Sequence, residues 1–513
     1  MAGIVALCMW GIIPPCSLKD AHAKGSANGS ASVLEYHNGP RRDGVYADPT
    51  LTGTSARSFH IDHAFRARIE GAVYAQVLYV ARGDKKGQGV IIAASEEDVV
   101  AAFDAATGRT LWKRRLGAPV PLSRLPCGDI NPLGITGTPV IDKNSRTIFL
   151  DAMTTPDGGR TKRHLVFALS LADGLTLKGW PVDVAARIRR GWPPFDSGVQ
   201  NQRGALAFFK GTVYVPYGGH FGDCGSYRGW LVGIPVADPA RPLAWAAGSP
   251  AGGSWAPGGA ASDGRDIFIS TGNTGNPIRW SGGEAVLRFK PGPVFSGKPA
   301  DYFAPADWRR LDERDADLGG TGPIILDLPR SRPSRLIVVL GKDGKIYLLD
   351  RDNLGGVGGQ VAAARVAASA IIGSGAAYET ARGTYVVFSG KGIHCPPGRS
   401  GRSGRSGRMG DLVAVRIVPG APPSIETAWC ARQHGRGSPM VTTTNGHPDV
   451  IVWSVGAEGD NRLHGFDGDT GRVVYSGGGR GDFIGRVRRY QTPILAGGRI
   501  YIAADGKVVA FTR

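Results

Sequence analysis

The chain has 513 residues, with 78 glycines and 35 prolines, and its 61 lysines and arginines exceed its 43 aspartates and glutamates to give a formal net charge of +18. This much glycine and proline predicts many turns, and short runs in which apolar and polar residues alternate, such as TVYVPY from Thr212, favour strands and exclude a helical bundle. The positive charge is compatible with a polyanion partner, but a basic soluble surface explains it better, because no motif for specific nucleic-acid binding accompanies it.

Residues 1–23 are predicted to be a signal peptide. Their apolar run, GIVALCMWGII, is too short to cross a bilayer, and Ala21-His22-Ala23 has the pattern of a signal-peptidase site. No lysine or arginine precedes the run, so a start further upstream remains an alternative. We therefore expect a periplasmic or secreted protein without a transmembrane segment in the mature chain, in which residues 24–62 form an irregular lead-in.

The stretch Val99–Gly117, VVAAFDAATGRTLWKRRLG, predicts a strand, a tight turn and a second strand that carries a tryptophan. Aspartate and threonine oxygens, together with the conformational freedom of glycine, favour such a turn. The same pattern returns in weaker form at Leu165–Trp180, Lys345–Gly356 and Arg462–Tyr475. The chain is therefore expected to be a series of similar units.

A second, shorter pattern precedes each unit and predicts how many units there are. Its copies lie about 53 to 66 residues apart, which suits four-stranded propeller blades with long loops, and they begin at Gln76, Gly137, Arg203, Pro257, Thr321, Ser374, Ser438 and Thr492. We predict an all-β fold, an eight-bladed β-propeller of four-stranded antiparallel blades, over residues 63–513. The last blade has about three strands of its own, so an N-terminal strand at His63–Gly71 is predicted to complete it and close the ring.

Four of the six cysteines lie beyond the predicted signal peptide, at Cys127, Cys224, Cys395 and Cys430. An exported chain with an even number of cysteines permits two disulfides, but the sequence leaves three pairings open. A bridge between Cys395 and Cys430 would close a Gly/Ser/Arg-rich insert at 395–411, which is predicted to be a mobile loop. No C-x-x-C-H motif is present, so no covalently attached haem is expected.

The repeat AFDAATGRTLW, with its weaker copies, resembles the pyrroloquinoline quinone (PQQ) repeat of quinoprotein alcohol dehydrogenase-like β-propellers. The resemblance covers most of the chain and implies eight blades. The family also contains assembly scaffolds that bind no cofactor. The repeat therefore indicates the fold more strongly than an activity.

Two segments of the central blades resemble those that hold the quinone and its calcium ion in methanol and ethanol dehydrogenases. GGSWAPGGAASDGRDIFISTGN, from Gly252, implies that Trp255 forms the floor under the quinone and that Asn273 is a calcium ligand. GGHFGDCGSYRGW, from Gly218, lies where the family has a calcium-binding glutamate, and Asp223 is its nearest carboxylate. Carboxylate and amide oxygens suit Ca²⁺, and the face of an aromatic ring suits a flat cofactor.

Two further segments resemble the catalytic part of these dehydrogenases. FAPADWRRLDERDAD is similar to the acidic stretch that supplies the catalytic aspartate, which implies Asp315 or Asp317 as the general base. GKDGKIYLLDR is similar to the hairpin whose basic residue meets the quinone oxygens, here Lys342. Arg203, in QNQRGAL, is the candidate for the arginine that grips the carboxylates of the quinone.

Each of these residues also has an ordinary structural interpretation. Trp255 suits packing between blades, Asn273 suits a turn, Lys342 suits a hairpin, and the acidic residues at 312–317 suit ion pairs with nearby arginines. Two functions therefore remain open. One is an exported dehydrogenase that depends on PQQ and Ca²⁺, oxidises an alcohol or sugar and uses a separate electron acceptor. The other is a non-catalytic platform that binds a protein or an acidic polymer through the basic insert.

Overall fold

The computed structural model describes residues 32–82, 88–188, 194–275, 277–396 and 410–513. Eight small antiparallel sheets form a ring, which confirms the predicted eight-bladed propeller. The predicted signal peptide and the central part of the Arg-rich insert lie outside the described residues. No helix in the described part of the chain is long and apolar enough to span a membrane.

The strands of each blade run from the channel outwards, and the shorter patterns of the sequence lie just before the first strand of each blade. Blades 1 to 4 consist of Leu78–Ala81, Gly89–Ser95, Val99–Asp104 and Thr110–Arg115; Val140–Asp142, Thr147–Thr154, Arg163–Ser170 and Val182–Asp183; Ala207–Phe209, Thr212–Gly219, Trp230–Pro235 and Leu243–Ala246, with Gln200–Asn201 beside the second strand; and Ala261–Ser262, Ile267–Thr271, Ala285–Phe289 and Tyr302–Ala304, with Gly356–Val357 added at the outer edge.

The second half of the ring is built in the same way. Blades 5 to 8 consist of Ile324–Asp327, Arg335–Leu340, Lys345–Asp350 and Ala362–Arg365; Ala376–Thr380, Gly383–Ser389, Leu412–Val418 and Ser424–Ala431; Met440–Thr443, Ile451–Val455, Leu463–Asp467 and Val473–Ser476, with Val45–Ala47 added at the inner edge; and Ile494–Ala496, Arg499–Ala504 and Lys507–Thr512, completed by His60–Ile61 and Ala67–Arg68. The α-helices in the described ranges are Val184–Arg187 and Trp308–Glu313, and the 3-10 helices are Tyr36–Asn38, Ser55–Ser58, Leu122–Arg124, Pro299–Asp301, Leu318–Gly320 and Arg480–Asp482.

The repeat of the sequence is explained by how neighbouring blades pack. The indole N–H of Trp112 in blade 1 donates to the backbone oxygen of Leu171 in blade 2, and a Cβ on the turn residue Gly174 would lie 2.6 Å from the Trp112 ring. Trp429 of blade 6 packs in the same way on the turn of blade 7, where its N–H donates to the Gly468 oxygen. The tryptophan of one unit thus requires the turn glycine of the next, which also adopts a positive φ (+74° at Gly174).

The ring is closed by pairing between the two ends of the described chain. Ile61 pairs with Phe511 and Ala67 pairs with Val508, both in antiparallel register. The predicted closure is therefore confirmed, but the prediction of one strand at His63–Gly71 is wrong in its bounds. The strand is split because the chain turns between its halves, where the Phe65 N–H donates to the Asp62 oxygen.

The described cysteines form two disulfides, Cys127–Cys224 and Cys395–Cys430. The first joins the loop before blade 2 to a hairpin loop of blade 3, and the second joins the start of the basic insert to the outermost strand of blade 6. The structure therefore selects one of the three pairings that the sequence left open.

Residues 33–47, called the N-terminal segment below, lie across the channel and bond to the inner edges of successive blades. Backbone hydrogen bonds join the segment to Tyr79, Ile141, Ser262, Ile325, Ala377 and Val441, which belong to blades 1, 2, 4, 5, 6 and 7. The side chain of Arg42 reaches blade 3 by donating to the Leu206 oxygen at 3.0 Å. The unpaired edges of the inner strands are thereby covered.

Arg42 holds the segment in place from within the protein. It is 2% exposed and donates to the backbone oxygens of Ala260 and Tyr36, each at 2.9 Å, and to the Glu35 carboxylate at 3.0 Å. Burial raises the pKa of Glu35, while the Arg42 charge opposes that rise. Loss of the guanidinium would leave several buried acceptors and a buried acid without their partner.

We expect Arg42→Met to destabilise the protein by about 3–5 kcal/mol, the usual effect of removing one partner from a buried ion pair. The adjacent Arg41→Met is a matched control, because Arg41 and its partner Asp327 are both about 40% exposed and such pairs contribute less than about 1 kcal/mol. The unfolding midpoints in urea measure both effects. Equal midpoint shifts for the two variants would contradict this role of Arg42.

Candidate functional site

Side chains from three neighbouring parts of the ring meet on one face of the propeller. Trp255 lies in the loop that leads into the first strand of blade 4, and Asp315 and Asp317 lie in the loop that leads into blade 5. Lys342 lies in the hairpin between Arg335–Leu340 and Lys345–Asp350. Loops into the first strand and hairpins between the second and third strands share one face of a propeller. This arrangement is why residues so far apart in sequence become neighbours.

Lys342, Asp315, Asp317 and Trp255 form one hydrogen-bonded cluster. The Lys342 ammonium lies 2.7 Å from Asp315 Oδ1 and 3.0 Å from Asp317 Oδ1. The indole N–H of Trp255 donates to Asp317 Oδ2 at 2.9 Å. Lys342 Nζ also lies 5.1 Å from the centroid of the Trp255 ring, and Arg203 Cζ lies 6.0 Å from it. Five residues selected from the sequence are thus brought together.

Gly272 makes room for this cluster. A Cβ at this position would lie 2.6 Å from Asp317 Oδ2 and 2.9 Å from Trp255 Nε1. Real Cβ atoms do not approach other atoms so closely, so a larger residue would separate the indole from the carboxylate. The hydrogen bond between Trp255 and Asp317 therefore depends on a glycine at the end of the second strand of blade 4.

Burial and the neighbouring Asp315 raise the pKa of Asp317, which makes it a stronger base than an ordinary aspartate. Burial raises the pKa of Asp317 to about 6, the Lys342 charge opposes that rise, and the neighbouring Asp315 adds to it. Burial alone would lower the pKa of Lys342, but the two aspartates raise it, so the ammonium stays charged. Asp317 is 2% exposed, whereas the side chain of Asp315 is 65% exposed. Asp317 is therefore the better placed to exchange a proton with a bound molecule near neutral pH.

Glu284 is a second buried carboxyl of the site, and sequence reasoning missed it. It is fully buried; its Oε2 accepts the Leu318 N–H at 2.7 Å, and its own N–H donates to the Gly272 oxygen at 2.9 Å. Burial and then the charge of Asp317 raise the pKa of Glu284 well above its usual value, so it keeps its proton. The sequence signal for this buried carboxyl was a glutamate directly before a run of apolar strand residues, in SGGEAVLRF.

Arg203 connects the cluster to a cavity on the propeller axis, called the axial cavity below. The cavity is lined by Tyr36, Tyr74, Asp129, Ile130, Thr136, Thr138, Arg203, Phe221, Pro257, Arg489 and Tyr490. The hydroxyls of Tyr36 and Thr136 are buried and have only imperfect polar contacts, Tyr36 with Ser374 and Ser438 and Thr136 with Glu96. Buried polar atoms of this kind usually have a partner, so a polar ligand or water molecules are expected in this cavity.

Asp223 and Asn273, the predicted calcium ligands, each take part in a short hydrogen bond. Asp223 Oδ1 accepts the hydroxyl of Tyr227 at 2.5 Å, and the Asn273 backbone oxygen accepts the Gly252 N–H at 2.5 Å. The described residues contain no group of three or more His, Cys, Asp or Glu side chains that could hold a metal ion. Ca²⁺ also binds amide and backbone oxygens, so calcium binding at Asp223 and Asn273 stays a prediction.

Comparisons with known proteins show the fold of the chain. No family model and no curated protein sequence matches the chain. Among solved structures, a quinohemoprotein alcohol dehydrogenase from Pseudomonas putida HK5 matches with a TM-score of 0.62 and 13% identity, over 94% of this chain and 80% of that one. The quinohemoprotein alcohol dehydrogenase of Comamonas testosteroni matches with 0.61 and 13%, over 95% and 81%. A europium-containing methanol dehydrogenase matches with 0.59 and 14%, over 93% and 90%.

These likenesses establish the fold. At such low identity they assign no activity to this chain, so the argument for a function depends on the site itself.

The residues around Trp255 fit a flat, anionic quinone such as PQQ. A half-buried indole with two cations near its ring offers stacking together with compensation for negative charge. The buried Asp317 offers a proton acceptor, and the imperfectly bonded hydroxyls of the adjacent cavity offer hydrogen bonds. The chemistry of this set therefore agrees with the quinone.

We expect Lys342→Met to raise the pKa of Asp317 above its value of about 6, because the ammonium that favours the ionised carboxylate is removed. The ¹⁵N resonance of the Trp255 indole, assigned with Trp255→Phe, follows this ionisation through its hydrogen bond to Asp317. Lys345→Met is the control, because Lys345 pairs with Asp307 and Asp343 instead. An unchanged midpoint in Lys342→Met would show that the ion pair does not control Asp317.

Proposed function

We propose that this protein is a PQQ-dependent dehydrogenase that oxidises an alcohol or sugar and passes electrons to a separate acceptor. The observation that carries the proposal is the cluster of Trp255, Lys342 and Asp317, in which an aromatic face, a cation and a basic carboxylate lie within contact of one another. The proposal is also supported by the pKa of Asp317, which burial raises to about 6 beside a specific charge partner, a combination typical of functional sites.

Each residue has a defined role in this proposal. Trp255 binds the face of the quinone, Arg203 binds its carboxylates, and Lys342 stabilises negative charge that develops on its oxygens. When bound, PQQ supplies an o-quinone that takes up two electrons from the substrate. Asp317 accepts the proton of the substrate hydroxyl, and Glu284 keeps its own proton and leaves the negative charge on Asp317.

The proposal includes the quinone, and calcium binding at Asp223 and Asn273 stays a prediction beside it. It also includes export to the periplasm or beyond. The two disulfides support this part, because disulfides persist in oxidising compartments. The alternative of a binding platform depends on Arg399–Arg408, which lie outside the described residues, so no observation favours it here.

Binding of PQQ is the first test of the proposal. Calorimetric titration is expected to show binding by the wild-type protein, and PQQ is expected to raise the melting temperature by mass action. Trp255→Ala and Lys342→Met are each expected to weaken binding by about tenfold or more, since stacking and charge-assisted hydrogen bonds contribute about 1–3 kcal/mol. Lys345→Met, in the same hairpin, is expected to bind like the wild type. Wild-type protein that binds no PQQ, with or without Ca²⁺, would refute the proposal.

Oxidation of alcohols or sugars by the PQQ-loaded protein is the second test, followed by the reduction of an artificial electron acceptor. A base must be ionised, so activity is expected to rise with pH through the Asp317 pKa of about 6 and to be lost below it. Asp317→Asn is expected to lower kcat by about 10²–10⁴-fold while PQQ still binds. The exposed Asp315→Asn is the matched control and is expected to keep most of its activity. A larger loss in Asp315→Asn than in Asp317→Asn would exchange the two assignments.

A further inference from the structure

Glu96 and Asp98 lie in the hairpin between the second and third strands of blade 1, on the same face of the propeller as Trp255 and Lys342. Both residues are fully buried, at 0% exposure. The two Asp98 oxygens and Glu96 Oε1 make no hydrogen bond of normal geometry to any described residue. Buried polar atoms usually have partners, and the exceptions often belong to an element that changes state.

Both carboxyls contact Gly134, in the loop before blade 2. Glu96 Oε2 accepts the Gly134 N–H at 2.8 Å, and a Cβ on Gly134 would lie 2.6 Å from Asp98 Oδ1. The Gly134 oxygen accepts the Met153 N–H at 3.1 Å, which ties the loop to blade 2. The hairpin of blade 1 and the loop before blade 2 therefore touch through two acids and a residue without a side chain.

The surroundings leave a charge on either acid without a bonded cation. Arg115 lies beside Asp98, but its guanidinium pairs with Glu70 and Glu97. The other charged or titratable groups that act on the pair are Tyr74 before blade 1, Asp151 of blade 2 with its partner His164, Arg203 before the first strand of blade 3 and Arg488 before blade 8. Burial raises the pKa of Asp98 to about 9, the charges of Glu96 and Asp151 add to that rise, and burial raises the pKa of Glu96 to about 7. Asp98 is therefore protonated at neutral pH.

We propose that Glu96 and Asp98 form a proton-operated contact between blades 1 and 2, which holds the loop before blade 2 while Asp98 is protonated and releases it when Asp98 ionises beside Glu96. Two buried negative charges repel each other and require water. The loop is the side that gives way, because the hairpin is fixed by paired strands. Thr136 and Thr138 of this loop line the axial cavity, so its release loosens the wall of that cavity.

Hydrogen exchange of the full chain at different pH values tests the contact, with protection factors that correct for the intrinsic pH dependence of exchange. An opening that exposes Asp98 releases one proton at any pH between about 3.9 and the folded pKa of about 9. The folded contact binds the extra proton, so its stability falls as the pH rises. The protection of the loop around Gly134 is expected to fall about tenfold per pH unit up to about pH 9 and to level off above it.

Asp98→Asn keeps the shape of the side chain without its proton and is expected to abolish the fall above about pH 7. Glu96→Gln keeps an acceptor for the Gly134 N–H but removes a charge that raises the pKa of Asp98, so the fall is expected to level off at a lower pH than in the wild type. Glu97→Gln is the matched control, because Glu97 lies in the same hairpin but is half-buried and pairs with Arg115. It is expected to behave like the wild type.

Two results would overturn the inference. One is the same pH dependence of loop protection in Asp98→Asn and the wild type. The other is a cation in place of the proton, which would appear as alkaline protection restored by Ca²⁺ in the wild type and not in Asp98→Asn, compared with samples in EDTA. All samples lack PQQ, so the result does not depend on whether the quinone binds.

Discussion

The inner edges of the eight sheets impose the constraint on which the rest of this structure depends. The first strand of a blade pairs on one side with its own sheet, and its other edge faces the channel, where unpaired backbone groups are costly unless they find partners. The N-terminal segment supplies those partners for blade after blade, and Arg42 supplies the bond to blade 3. Further along the chain, Ile61 and Ala67 pair with the last strand and complete the eighth blade. One continuous stretch thus seals the channel and then completes the ring.

The same constraint explains why a site forms where it does. With the channel blocked by the N-terminal segment, polar groups ahead of each first strand face a closed space. Trp255, Asp317 and Lys342 come from loops of blades 4 and 5 that end at this face, and Gly272 allows them to touch. The rigid blades fix the loop ends, so the cluster needs few contacts of its own to stay together. Function on such a scaffold is determined by a handful of loop residues, which is why closely similar folds differ in activity.

The sequence contained the fold because the fold repeats. The Asp-Thr-Gly turn and the tryptophan that packs on it recur because neighbouring blades pack on each other in the same way. The patterns at Gln76 and its counterparts come just before the inner strands. Trp255, Lys342 and Asp317 could be selected because they resemble known segments. Glu284 could not, because its importance arises from burial beside groups that are distant in sequence. Calcium binding at Asp223 and Asn273 stays a prediction, because a likeness of segments does not by itself place their oxygens around one point. The closing strand was predicted in the right blade but as one continuous strand. The alternation of apolar and polar residues in HAFRARIEG does not reveal the turn at Asp62–Phe65.

The distribution of charge in the cluster connects binding to proton transfer. Asp317 and Glu284 are buried neighbours, and two carboxyls so placed do not both ionise without a large cost. Lys342 contacts Asp317, whereas Glu284 accepts a backbone N–H from Leu318. Because the ammonium stabilises a negative charge on Asp317, Asp317 is the carboxyl that ionises. Negative charge that develops beside Lys342 would compete with Asp317 for the same ammonium and weaken its hold on the carboxylate. The pKa of Asp317 would then rise, and the carboxylate would take up a proton at the moment when charge reaches the site. In the proposed dehydrogenase, one lysine shared between two acceptors would couple electron uptake to proton uptake.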